Sequence, residues 1–268
     1  MKKLLTLSLI LLLFSCKNDK KEEVTDATDT SATEEIQQKQ PEYPQALSAI
    51  FKAHGGLDQW NKMNNICYEM DGSGGMETHT VSLKNRKTII ENKAWSIGYD
   101  GNDVWLFENE KSSYKGNARF YHNLMFYFYA MPFVLGDDGI NYEDVGTTEL
   151  KGKTYNGIKI SYDAGVGDSS KDEYVLYFNP ETHLMEWLGY TVTYMDDKKT
   201  DDWHFIKYDR WQDVNGLQLP EKMTFYNVKD GKPADEKKDY VFKKVTATET
   251  MIDDSVFKKP EGATVVEK

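Results

Sequence analysis

The sequence predicts a mainly β fold of the α+β class, and three observations carry that expectation. Aromatic residues make up 13% of the 268 positions, with 17 Tyr and 6 Trp among them, and such side chains fit the half-buried surface of a sheet. From about residue 65 onward, short runs rich in aromatic and β-branched residues are separated by turn-forming pairs, which reads as strand, turn, strand. Leu188, Tyr190, Val192 and Tyr194 fall on one face, against Gly189, Thr191 and Thr193 on the other. That period of two predicts an antiparallel sheet with one covered and one wet side. No βαβ alternation and no internal repeat competes with this reading.

The N-terminal part reads differently. Met1-Lys2-Lys3 is a short positive segment, and Leu4 to Phe14 is an apolar run of 11 residues. The run is too short to cross roughly 30 Å of hydrocarbon as a helix, so residues 1–15 read as an export signal. It ends in Leu13-Phe14-Ser15-Cys16, which resembles the lipobox of bacterial lipoproteins, with Phe14 bulkier than the usual occupant of its position. The resemblance implies cleavage before Cys16 and lipidation of Cys16. It also implies attachment to the membrane through N-terminal acyl chains, as an outer membrane lipoprotein of the cell envelope on either the periplasmic face or the cell surface. The alternative is an ordinary secretory signal that happens to contain a cysteine.

Residues 16–43 read as a polar tether. From Lys17 to Gln40 there is no aromatic residue and no Gly, and Val24 and Ile36 are the only branched aliphatics. Such a segment buries too little surface to offset its ordering entropy, so disorder is expected. Asp19, Glu22 and Glu23 resemble the acidic signals that send some Bacteroidetes lipoproteins to the surface, with a plain soluble linker as the alternative. The remainder, residues 44–268, is long enough for one large β domain with a substantial core.

Charge narrows the partners. The formal net charge is −11, and about −13 once Lys2 and Lys3 leave with the signal. Nucleic-acid binding depends on Lys and Arg neutralising phosphates, so nucleic acid is excluded as a partner class. With Cys16 acylated, Cys67 remains as one cysteine, so no intramolecular disulfide is expected; Cys67 reads as a small buried residue.

Within the domain, Leu47, Ile50, Phe51 and His54 make one apolar stripe of a short helix that starts after Pro44 and stops at Gly55-Gly56. A further turn at Leu57–Trp60 leads into the strands, with Trp60 expected to pin it to the sheet. The expected strands are 65–71, 78–83, 87–92, 94–100, 103–108, 146–150, 153–162, 172–179, 184–195, 203–214, 217–228 and 237–248. The turns between them include Asp100-Gly101-Asn102-Asp103, Lys151-Gly152, Asn215-Gly216 and Asp230-Gly231. Residues 118–131 break the pattern. They lack β-branched and turn residues, and Phe120, Leu124 and Phe128 make one i, i+4 stripe beside a second of Tyr121, Met125 and Tyr129. A helix apolar over so much of its circumference belongs against or inside the sheet, and Pro132 ends or kinks it.

An N-terminal helix, about eleven antiparallel strands and a buried helix between the two halves resemble the LolA/LolB-like fold. The strings Ala53-His54-Gly55-Gly56-Leu57-Asp58-Gln59-Trp60, Tyr121-His122-Asn123-Leu124, Met131-Pro132-Phe133-Val134-Leu135, Tyr174-Val175-Leu176-Tyr177-Phe178 and Val214-Asn215-Gly216-Leu217-Gln218-Leu219-Pro220 resemble an uncharacterised Bacteroidetes lipoprotein family related to that fold. The resemblance implies an open antiparallel β-barrel or half-barrel closed by a few helices, around a hydrophobic cavity for lipid or acyl chains. A chain that is itself anchored is not a freely diffusing carrier, which favours a local or acceptor-like role.

The expected ligand-binding residues are Trp105 and Phe107 on a strand, with Phe120, Tyr121, Leu124, Met125, Phe128, Tyr129 and Phe133 along the apolar helical segment. The alternative is that they simply fill the core. No chemistry-bearing constellation is apparent. The five His residues (His54, His79, His122, His183 and His204) show no metal-ligand spacing. Asp137-Asp138, Asp196-Asp197 and Asp201-Asp202 are adjacent acids in turn-like contexts, not an acid/base couple. Neither a cofactor nor catalysis is therefore expected. The function expected is binding of a lipid or other apolar ligand, with a glycan- or protein-binding surface module as the alternative.

Overall fold

A computed structural model describes residues 42–268. The export signal, Cys16 and most of the tether lie outside the described residues. Glu42–Lys268 makes a compact unit of its own. It begins with α1 (Gln45–Ala53) and α2 (Leu57–Lys62), followed by β1 (Asn65–Gly72), β2 (Gly75–Ser82), β3 (Thr88–Glu91), β4 (Trp95–Tyr99) and β5 (Val104–Glu108). Helix α3 (Ala118–Tyr129) and a 3-10 turn (Phe133–Gly136) then lead to β6 (Ile140–Leu150), β7 (Lys153–Tyr162), β8 (Tyr174–Phe178), β9 (Met185–Tyr190) and β10 (His204–Val214). The chain finishes with β11 (Leu217–Lys229), β12 (Lys232–Val241), β13 (Lys243–Thr248), a 3-10 turn (Asp254–Phe257) and β14 (Thr264–Val265).

The strands form two antiparallel seven-stranded sheets, ordered β13-β1-β2-β3-β4-β5-β14 and β12-β11-β10-β9-β8-β7-β6. Only Phe242 separates β12, an edge of the second sheet, from β13, an edge of the first. The sheets therefore meet along this seam and stay unclosed at β6 and β14. This is the mainly β half-barrel, closed by a few helices, that the sequence predicts. A single strand was expected over 237–248. The corner breaks it: Phe242 N donates to Glu221 O at 2.9 Å, and Lys244 has φ +50°. Strands that pass between sheets turn at such bends.

Three hairpins follow directly from their turn pairs. Lys151-Gly152, Asn215-Gly216 and Asp230-Gly231 all have positive φ at both positions, the conformation whose twist matches the flanking strands. Strand β6 starts six residues earlier than expected because a bulge between Asp144 and Gly146 hides its alternation. Strand β9 stops at Tyr190, short of the expected Met195. Beyond it, Thr191 Oγ1 accepts from Glu173 N at 2.9 Å, and Thr193 bonds Asp172. One backbone bond, Thr191 N to Glu173 O at 3.0 Å, persists there, and side chains make the rest. Nor does β9 have a wet face: Gly189 lies under Phe205, Trp203 and Tyr177, and Trp187 is buried on the same outer side. Cys67 is half-buried rather than buried, and Thr80 Oγ1 lies 3.6 Å from its Sγ.

The predicted stripe of α1 is buried throughout: Leu47, Ile50, Phe51 and His54. Trp60 reaches the core by stacking on Phe133, with ring centroids 4.7 Å apart. His54 fastens α1 to two strands at once. Its Nδ1 donates to Gln218 O at 3.3 Å, and its Nε2 accepts from Met185 N at 3.1 Å. Accepting from Met185 N needs the neutral ring, whereas donation to Gln218 O does not, and burial lowers the ring's pKa from 6.5 to about 4. Between those values the unfolded chain binds the proton and the folded chain does not, so stability is complete above pH 6.5 and falls toward pH 4. The loss attributable to His54 is roughly 3 kcal/mol at about 1.4 kcal/mol per pKa unit. Urea titrations between pH 7.5 and 4 are expected to show a shallower fall in stability for His54→Gln than for the wild type.

Candidate functional site

Helix α3 links the first sheet to the second, and its sequence gives it two unlike faces. Asn117 starts it, its Oδ1 accepting from Phe120 N at 2.9 Å. Tyr121, Met125 and Tyr129 turn to the sheets. Met125 is buried in the main core, and Tyr129 packs on Phe242 at 4.3 Å and Tyr68 at 4.5 Å between ring centroids. Phe120, Leu124 and Phe128 turn the other way and line a partly open cleft of about 320 Å³. Arg119, His122, Asn123, Phe126 and Tyr127 complete the helical wall. Opposite stand Arg86, Thr88 and Tyr99 from the first sheet, and Ile140, Tyr162 and Tyr174 from the second. The connection between β7 and β8 adds Val166, Gly167, Asp168, Ser169 and Asp172, and Asp137, Asp138 and Tyr194 close the rim.

The nine residues singled out from the sequence thus separate. Phe120, Leu124 and Phe128 come together in the cleft, and the other six lie elsewhere. Phe133 is buried against Trp60. Trp105 is buried with its Nε1 donating to Phe257 O at 3.0 Å, and Phe107 lies near Gly262 of the C-terminal segment. Tyr121 joins a buried polar cluster that sequence reasoning missed. Its hydroxyl donates to Glu77 Oε2 at 2.6 Å, and His79 Nε2 donates to the same oxygen at 3.1 Å. Tyr68 donates to His79 Nδ1 at 3.4 Å. Glu77 and His79 are 0% and 1% exposed, and burial lowers the His79 pKa. The signal available in the sequence was their spacing, since positions 77 and 79 share one face of β2.

Two ion pairs span the cleft walls. Arg86, held at φ +60°, places Nη2 2.6 and 2.5 Å from the two Asp137 oxygens and lies 5.4 Å over the Phe126 ring. Arg119 Nη2 donates to Asp168 Oδ1 at 3.0 Å, a bond that raises the arginine pKa further. Asp172 sits deeper. Its Oδ1 accepts from Thr193 N at 2.6 Å and Thr193 Oγ1 at 2.7 Å, while burial raises its pKa. Beside it, the Tyr127 and Tyr162 hydroxyls are 2.6 Å apart, and burial pushes Tyr127 up to about 12. His122 is buried in the wall, bonded to Arg119 O of its own helix, and its pKa is lowered by burial. Among the described residues, no group of three or more His, Cys, Asp or Glu is arranged to hold a metal ion.

The sequence model of a family of unknown function, DUF6503, matches residues 75–254, about two thirds of the chain. The chain belongs to that family. No curated protein matches it by sequence. Among solved structures it is similar to a LolA superfamily protein from Nitrosomonas europaea, with 11% identity over 79% of this chain and 96% of that one and a TM-score of 0.47. It is also similar to a DUF1329 family protein from Desulfovibrio piger, with 13% identity over 80% and 97% of the two chains and a TM-score of 0.47. The matched span, 75–254, contains all of α3 and every residue of the cleft wall named above.

The buried cluster under α3 makes a direct prediction. Tyr121→Phe removes one of two donors to a buried carboxylate and is expected to cost roughly 1–3 kcal/mol of stability. Chemical denaturation of residues 42–268 with and without the substitution measures it.

Proposed function

We propose that this protein binds one acyl chain, or another slender apolar molecule, in the cleft beside α3. It acts as a binding protein and not as an enzyme, and is held at the cell envelope through acyl chains on Cys16. One observation supports the reading above others: Phe120, Leu124 and Phe128 all line the cleft, the first two only half-buried, whereas Tyr121, Met125 and Tyr129 of the neighbouring stripe do not reach it. A helix whose task was only to fill the core has no need of large apolar side chains left half-buried along a partly open cleft, as Phe120 and Leu124 are.

Size narrows the ligand. Water takes about 30 Å³ per molecule in the liquid, and a methylene displaces a similar volume, so about 320 Å³ holds a single chain of roughly ten carbons. Burial of such a chain contributes about 25 cal/mol per Å² of apolar surface. The rival reading, a surface module that stacks sugars on exposed rings, has little to draw on. No Trp, Tyr or Phe among the described residues is exposed. The aromatic patch on the outer face of the second sheet, Trp187, Phe205 and Tyr155, is buried, with the Lys207 ammonium lying 5.0 Å over the Trp187 ring.

Native mass spectrometry of residues 42–268, purified gently from a membrane-rich bacterial lysate, tests the reading. The expected result is a mass shift corresponding to a single-chain lipid, lost on Leu124→Trp, which fills the cleft from a half-buried position while leaving the core stripe untouched. A clean protein mass, with no uptake of added single-chain amphiphiles, overturns it.

A further inference from the structure

The cleft wall also carries information about the polar end of its ligand; this step rests on the reading of the cleft as an apolar-ligand site. Four aspartates and two arginines line it: Asp137, Asp138, Asp168, Asp172, Arg86 and Arg119. Both arginines are engaged, Arg86 with Asp137 and Arg119 with Asp168. Each spends Nη2 on its aspartate, and one further nitrogen of each, Arg86 Nη1 and Arg119 Nε, is shut off from solvent. An anionic head group would therefore meet two guanidinium groups already neutralised by carboxylates, and two further carboxylates, in a chain whose net charge is already −11.

Asp172 is the opposite case. It is 9% exposed, and both of its hydrogen bonds, from Thr193 N and Oγ1, go to Oδ1. Among the described residues no donor reaches Oδ2, yet Oδ2 is not sealed from solvent as the arginine nitrogens are. A largely buried carboxylate with one oxygen unpaired is costly unless a partner completes it. Around it stand Tyr127, Tyr162 and Tyr174, which line the same cleft. The Tyr174 ring centroid is 5.9 Å from those of both Tyr127 and Tyr162. Tyrosine rings present negative faces, and several of them grouped beside a carboxylate form a receptor for an ammonium group.

We propose that the ligand is a cationic single-chain amphiphile, its ammonium group seated at Asp172 among Tyr127, Tyr162 and Tyr174 and its chain along Phe120, Leu124 and Phe128. Thr193 fixes the carboxylate by occupying Oδ1, which leaves Oδ2 for the cation. The recognition is charge-assisted hydrogen bonding for a primary amine and cation–π contact for a quaternary one.

Isothermal titration of residues 42–268 at pH 7 with decylamine, decan-1-ol and decanoate, all below their aggregation limits, separates the possibilities. The three share one chain and differ in head-group charge. Decylamine is expected to bind about tenfold or more tightly than decan-1-ol, with decanoate weakest. Asp172→Asn is expected to bring the amine down to the affinity of the alcohol. Equal affinities, tighter binding of decanoate, or an undiminished amine preference in Asp172→Asn would overturn the proposal while leaving the cleft as an apolar site. Failure of all three to bind removes the apolar-ligand reading itself. Should Asp172→Asn not fold, the order of the three ligands on the wild-type chain decides alone.

Discussion

Two sheets joined along one seam and unclosed along the other leave a trough between them, and the side chains lining it need apolar partners that the sheets do not supply to each other. Helix α3 supplies them. Tyr129 meets Phe242 at the corner between β12 and β13, beside Tyr68 of β1, so the helix is packed where the two sheets join. The position of the cleft, one wall of which is the helix itself, follows from that occupancy.

Burying a helix this deeply obliges the chain to satisfy polar groups far from water. Asn117 caps the first turn, and Tyr208 Oη donates to Phe128 O at 2.9 Å in the last. Between these ends Tyr121 reaches Glu77, itself held by His79. These contacts fix the rotation of α3 about its axis as well as its depth. With Tyr121 bound to the first sheet, Phe120 and Leu124 have no choice but to face the cleft.

The ion pairs on the cleft wall act differently. Arg86–Asp137 and Arg119–Asp168 are partly exposed on both sides, and such pairs contribute little to stability in water. Their effect is on the composition of the wall: each neutralises an arginine that would otherwise recruit an anion. The acidic character of the whole chain is thereby carried into the cleft, where Asp172 keeps one oxygen unengaged.

The architecture was legible because it rests on local signals. Turn pairs such as Lys151-Gly152 and Asn215-Gly216 require left-handed backbone, the stripe of α1 repeats with helical period, and the composition of residues 118–131 admits only a buried helix. The bulge at Gly146 and the corner at Phe242 were not legible, since both depend on a partner strand. The same division runs through the cleft. By itself the sequence determined that α3 carries two adjacent apolar stripes, because i, i+4 spacing is a property of the helix alone. Only the tertiary structure decided which stripe is spent in the core and which lines a cavity. It alone brought Asp172 to Thr193, Tyr127 and Tyr162, because side chains drawn from separate elements meet only once the two sheets have packed against one helix.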